Sequence, residues 1–225
     1  MEKITFKTSD DVPIVGSWVT APTTFGAVIL LHMMPTNKES WAKFQAILAK
    51  RGLASLAIDL RGHGESNIGQ DGGKIDYKRF SDAEHQSSLF DVIGAFDWLK
   101  RREFETERIA VCGASIGANL AVQFLLEEPR VAGAALLSPG KAYHGINVIE
   151  DIVDVLPEQS VWIAASEGDD QASFDDSKAA FEAASSLKKE FVPLKNVGHG
   201  TKILEAKPEL AESLADWLKE VVQGG

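Results

Sequence analysis

Residues 113–117 read Gly-Ala-Ser-Ile-Gly, a serine flanked by glycines two positions away on each side. A serine hydroxyl is a weak nucleophile until a base takes its proton and an acid holds that base in the right tautomer. Both partners follow later in the chain. Glu167-Gly168-Asp169-Asp170 comes after one apolar run, and Gly198-His199-Gly200 comes after another. Serine, acid and histidine in this order suit nucleophilic acyl transfer, in which the serine attacks a carbonyl carbon. The competing reading of Ser115 is a turn serine among small residues, and the flanking elements must separate the two.

Those elements are read from hydrophobic periodicity. Residues 3–8 and 13–20 are short alternating segments around the turn Ser9-Asp10-Asp11, which predicts an antiparallel hairpin. Residues 26–32 and 53–59 are continuous apolar runs, as expected of strands buried on both faces. Between them, residues 40–52 have helical spacing, with Trp41, Phe44, Ile47 and Leu48 on one face and Gly52 as the stop. The polar stretch 65–82 is a loop. Residues 81–102 read as one helix with the stripe Leu89, Ile93, Phe96 and Leu99. Then come a strand at 108–113, a helix at 115–128, strands at 131–139 and 161–166, a helix at 174–189, a strand at 190–197 and a helix at 208–222 with Pro208 in its first turn. Strands alternating with helices predict a doubly wound, mostly parallel sheet of about eight strands, in one domain spanning 1–225. Such sheets carry their functional groups at the carboxyl ends of the strands.

Ser115 falls at such an end, on a strand-to-helix turn whose neighbours Gly113, Ala114, Gly117 and Ala118 are all small. A sharp turn there would lift the hydroxyl above the sheet, and the backbone N–H of Ile116 would face a developing oxyanion. Among the histidines, His85 lies within a predicted helix and His144 in the short segment after the strand at 131–139. Only His199 follows the last strand between two glycines, which makes it the candidate base.

The remaining composition narrows the function classes. A net charge of −10 argues against nucleic-acid partners and anionic membrane surfaces. Cys112 is the one cysteine, so no intrachain disulfide forms, which fits a reducing compartment. The N-terminus lacks an apolar signal core and no run is long enough to span a bilayer, so a cytoplasmic protein is expected. No ligand spacing for a metal and no phosphate-binding glycine loop is recognisable, and no cofactor is expected.

Taken together, Leu30-Leu31-His32, Asp59 to Ser66, the Ser115 elbow, Ser166 to Asp170 and Gly198 to Gly200 make the chain resemble the α/β-hydrolase family. Within that family the chain looks like the small, lidless bacterial esterases and dienelactone-hydrolase-like members. The resemblance implies an α/β-hydrolase fold with a minimal cap, since the segment between Gly140 and Val161 is too short for a cap domain. It implies Ser115, Asp169 and His199 as the triad, with Asp170 the adjacent alternative to Asp169. It implies backbone donors from Ile116 and Met34, although Met33 stands where the family has glycine. His32 and His63 take structural roles, and Asp59 with Arg61 ties down the loop that follows. Met33, Tyr143 and His144 are expected to line the substrate site. Cysteine occupies the elbow in dienelactone hydrolases proper, so serine here directs the expectation to small carboxylic esters. Thioester, lactone or C–C bond hydrolysis with the same triad is the alternative, and a non-catalytic ligand-binding member is a further one. Whether the chain is a monomer or a homodimer stays open.

Overall fold

The computed structural model describes residues 1–224. Strands built from small and apolar residues alone must be covered on both faces, and β3 (Gly26–Leu31), β4 (Leu53–Ile58), β5 (Ile109–Ala114) and β6 (Gly133–Leu137) are buried throughout. They form the centre of an eight-stranded sheet completed by β1 (Glu2–Lys7), β2 (Pro13–Val19), β7 (Ser160–Glu167) and β8 (Lys189–Lys195), in the order β1-β2-β4-β3-β5-β6-β7-β8. β1 and β2 pair antiparallel, as does β2 with β4, and every later pairing is parallel. The expected α/β-hydrolase fold, with its N-terminal hairpin at one edge, is what the chain adopts.

Alternate residues along each central strand feed two cores. Val28, Leu30, Ala110 and Cys112 pack under α1 (Ala42–Lys50) and, further along, α8 (Pro208–Val222), through Phe44, Leu48, Leu214 and Leu218. Ile29, Leu31 and Val111 face the opposite layer. That layer holds α2 (Asp82–Gln86), α3 (Leu89–Lys100), α4 (Ile116–Glu127), α5 (Val148–Asp151) and α6 (Gln171–Ala183). A short α7 (Lys202–Ala206) precedes α8.

Two helices differ from the sequence expectation. The single helix expected over 81–102 is broken at Ser87-Ser88 into α2 and α3. Ser87 folds its hydroxyl back onto the Ala83 carbonyl, the local competition with helix geometry that serine offers. α6 begins three residues earlier than expected and stops at Ala183 rather than 189. Lys189 reaches back to the Phe181 and Ala184 carbonyls, capping the helix end, and the chain from Ala184 turns extended toward β8.

Two buried ionic clusters pin the loops at the top of the sheet. Asp59 accepts from the Lys38 backbone and ammonium and from the Glu65 N–H, which ties the β3–α1 connection to the loop after β4. Arg61, expected beside Asp59, instead pairs with Asp91 on α3 and Asp10 in the first hairpin turn. Its long fork reaches two carboxylates on other elements, while Asp59 already has Lys38.

Histidines complete this layer in the neutral form. His32 accepts from Leu60 N–H at Nε2 and donates from Nδ1 to the Met33 carbonyl. His63 lies face to face with Tyr77, ring centroids 3.9 Å apart. Burial holds His32 down to about 4 and His63 to about 3, against 6.5 for a free imidazole. The unfolded chain therefore takes up protons below pH 6.5 that the folded chain refuses, so stability is full above 6.5 and is lost as pH falls toward 4. Urea unfolding between pH 7 and pH 4 should show this loss, on the order of 3 kcal/mol from His32 alone. His63→Gln should flatten the slope by close to one proton; an unchanged slope would contradict the assignment.

Candidate active site

At the turn from β5 into α4 the backbones meet without room for side chains. A Cβ on Gly113 would lie 2.0 Å from the Gly117 carbonyl oxygen, and one on Gly117 would lie 2.5 Å from the Leu31 carbonyl oxygen. Ser115 takes up the sharp reversal at φ 56° and ψ −123°, a conformation that costs a non-glycine residue about 1–3 kcal/mol. Its N–H is held by the Leu137 carbonyl, and its own carbonyl accepts from Ala118 and Asn119. Ile116 is the first residue of α4, where N–H groups have no intrahelical acceptor.

Opposite, the β8–α7 loop presents His199. Its Nδ1 meets Asp170 Oδ2 at 2.6 Å, so Asp170, and not Asp169, orients the imidazole. The expectation for Asp169 is corrected by the loop geometry. β7 runs one residue beyond Ser166, pairing Glu167 with Lys195, and Gly168 then turns at φ 92°. This shifts the position facing His199 along by one. Asp169 turns back to accept from Ser166 Oγ at 2.6 Å and from Gly198 N–H at 2.7 Å, and these bonds lower its pKa. Ser166, where the family has glycine, also accepts from Val197 N–H. Asp169 and Ser166 thus clamp the acid loop to the histidine loop.

The histidine loop is fixed from below as well. Gly200 N–H donates to Ser138 Oγ at 3.0 Å, and a Cβ on Gly200 would stand 2.6 Å from Met33 Sδ and 3.3 Å from the Ala114 Cβ. That approach sets His199 beside the residue preceding Ser115. Asp170 and Ser173 are the side chains bonded to the ring; Ser115 Oγ is not hydrogen-bonded to it here, a bond that in many enzymes tightens only around substrate.

Met33 and Met34 diverge. Met33 is buried among Trp41, Phe44 and Leu204 and does not line the site, contrary to expectation. Its backbone is not in the left-handed region, so a side chain is tolerated where the family has glycine, and the core beneath Gly200 takes up the thioether. The Met33 carbonyl accepts from His32 Nδ1, Thr36 N–H and Thr36 Oγ1. Because a trans peptide points its C=O and N–H in opposite directions, the Met34 N–H faces away from these groups.

Met34, Ser115, Ile116, Tyr143 and His144 line one groove of about 370 Å³. Tyr143 and His144 belong to a tight hairpin whose central residues, His144 and Gly145, both have positive φ. Buried Asn119 on α4 bonds the Gly140 and Ile146 backbones and holds that hairpin over the groove. His144 stacks on His85 and meets Asp82 at 3.1 Å. Among the described residues no three His, Cys, Asp or Glu side chains are grouped to hold a metal ion.

Sequence reasoning passed over Asn119, Ser138, Ser166 and Ser173 as supports. Ser138 and Ser166 stood at strand ends, where they could have been sought; Asn119 and Ser173 are ordinary polar residues whose partners lie far along the chain.

The fold is that of an α/β-hydrolase, and comparison with known proteins agrees. Residues 22–160 match the Hydrolase_4 family model, described as serine aminopeptidase, S33, and the chain belongs to that family. The uncharacterized proteins Rv2715 of Mycobacterium tuberculosis (strain ATCC 25618 / H37Rv) and Mb2734 of Mycobacterium bovis are each 29% identical over 124 residues, 55% of this chain. The match spans only 32% of either relative's length. Among solved structures, the Pyrococcus furiosus esterase Pf2001 superposes with a TM-score of 0.79 at 20% identity, covering 97% of this chain and 91% of that one. A thermophilic esterase from Thermogutta terrifontis gives 0.73 at 16%, covering 98% and 99%. Among the described residues no helix is long and apolar enough to cross a membrane.

The two aspartates make separable predictions. Asp170→Asn should slow phosphonylation of Ser115 by a fluorophosphonate about 10⁴-fold, the scale seen when a triad acid is neutralised. Asp169→Asn should cost about tenfold, through loosened loops. The reverse ranking would restore Asp169 as the orienting acid.

Proposed function

We propose that the chain is a serine esterase that hydrolyses small carboxylic esters through an acyl-enzyme on Ser115. The observation that carries this reading is the 2.6 Å bond from His199 to Asp170, beside a serine held at φ 56° on a strand-to-helix elbow. Ser115 Oγ attacks the ester carbonyl while His199 takes its proton, and Asp170 stabilises the imidazolium. The N–H groups of Ile116 and Met34 receive the oxyanion, supported by the orientation of the Met33–Met34 peptide. His199 returns the proton to the departing alcohol. Water, deprotonated by His199, then attacks the acyl-enzyme and frees Ser115.

An open groove under a short hairpin suits small substrates. The esterase names of the structural neighbours support the ester reading, and the family's aminopeptidase description makes amides the necessary comparison. The test is a panel of p-nitrophenyl acetate and butyrate, the matched thioesters, a lactone and leucine p-nitroanilide. The acyl esters should lead in kcat/KM by at least about tenfold, and Ser115→Ala should remove about 10⁴-fold or more of the turnover. Turnover that survives this substitution, or a lead by the amide, would overturn the assignment.

A further inference from the structure

The hydroxyl of Ser173, in the first turn of α6, is buried, and its hydrogen has few places to go. Its neighbours are Tyr143 Oη at 2.8 Å and His199 Nδ1 at 3.4 Å. With Asp170 at 2.6 Å, Nδ1 carries the hydrogen it gives to that carboxylate, and it cannot also accept. The Ser173 hydrogen is therefore donated to the Tyr143 oxygen. That occupies the phenol as an acceptor and leaves its own hydrogen to the groove, where Ser115 is its neighbour.

The phenol's remaining surroundings are the groove. Tyr143 and Ser115 line it together, and the Tyr143 ring stands edge-on to His199 with centroids 6.3 Å apart. The ring lies directly over Gly140, where the lack of a side chain makes room for it. The hydroxyl is thus set beside His199, the residue that handles the leaving-group proton, through its contact with Ser173 and the edge-on approach of the two rings. Burial, with the Asp170 carboxylate adding to it, keeps the phenol above its ordinary pKa of 10, while Ser173 and Ser115 lower it; it remains a donor throughout the neutral range.

We infer that Tyr143 is a catalytic residue that donates a hydrogen bond to the leaving-group oxygen of the ester. This rests on the acyl-transfer reading of Ser115. As the tetrahedral intermediate collapses, the C–O bond to the alcohol breaks and its electron pair goes to that oxygen. His199 Nε2 delivers the proton, and the phenol keeps its own hydrogen while stabilising the negative charge. In deacylation the same donor holds the attacking water, whose proton passes to His199. Ser173, by occupying the phenol as an acceptor, turns the phenol's own hydrogen toward the groove before substrate arrives.

A donor on the leaving oxygen matters most when the alcohol is a poor leaving group. Tyr143→Phe, which keeps the ring, should lower kcat/KM for benzyl acetate about tenfold and for p-nitrophenyl acetate less than about twofold. Labelling of Ser115 by a fluorophosphonate, whose fluoride needs no such help, should be unchanged. Ser173→Ala should show the same leaving-group pattern more weakly. An equal loss on both esters would assign Tyr143 to packing or to the nucleophile, and no loss would assign it no role; either result overturns the inference while Ser115 labelling upholds the acyl-transfer reading. Failure of wild-type Ser115 to label, together with no hydrolysis of either ester, would overturn both.

Discussion

The backbone contact where β5 turns into α4 is the constraint on which the site depends. Gly113 lies against the Gly117 carbonyl, and Gly117 lies against the carbonyls of Leu31 and His32 at the end of β3. No side chain fits at either place, so the helix can start close above the sheet and Ser115 must take the reversal. The same contact fixes the elbow against the strand from which the Met34 loop departs. Ser115 and the Met33–Met34 loop are thus registered to each other through main chain, with no flexible side chain between them. The conformational cost at Ser115 is carried by the sheet and helix packing around it.

Outside the elbow, precision comes from small buried hydroxyls and amides. Ser138 holds the Gly200 N–H, Ser166 joins Asp169 to the Val197 N–H, and Asn119 holds the hairpin over the groove. Each such bond contributes only about 0.5–1.5 kcal/mol to stability, but each removes a way for a catalytic loop to move. Loops otherwise carry a large conformational entropy, about 1–2 kcal/mol per ordered residue, and these bonds are how that freedom is withheld. His32 joins two loops: one nitrogen accepts from the Leu60 N–H after β4, and the other donates to the Met33 carbonyl after β3.

Most of the fold could be read from the chain because burial on both faces leaves an unmistakable apolar run, as at 26–31 and 109–114. The positions of Ser115 and His199 in the fold were legible for the same reason, since each follows such a run. Asp170 was not. Choosing between adjacent aspartates requires knowing that β7 extends to Glu167 and that Gly168 turns left-handed, and neither is encoded in the count of residues from Ser166. Met33 was misplaced because its side chain's destination, the space under Gly200, exists only in three dimensions. The break at Ser87-Ser88 was hidden because no glycine or proline marks it, and the stripe from Leu89 to Leu99 begins only after it. Ser173 carried no local signal, since its partners Tyr143 and His199 arrive from loops 30 and 26 residues away.

The central claim is that Ser115 forms a covalent acyl intermediate. The most direct measurement is rapid acid quench of the protein with p-nitrophenyl acetate, followed by intact mass and peptide mapping. The account predicts a mass gain of one acetyl group, located on Ser115, formed at the rate of the p-nitrophenol burst and absent in Ser115→Ala. Acetyl found on another residue, or a burst with no acetyl on Ser115, would contradict it.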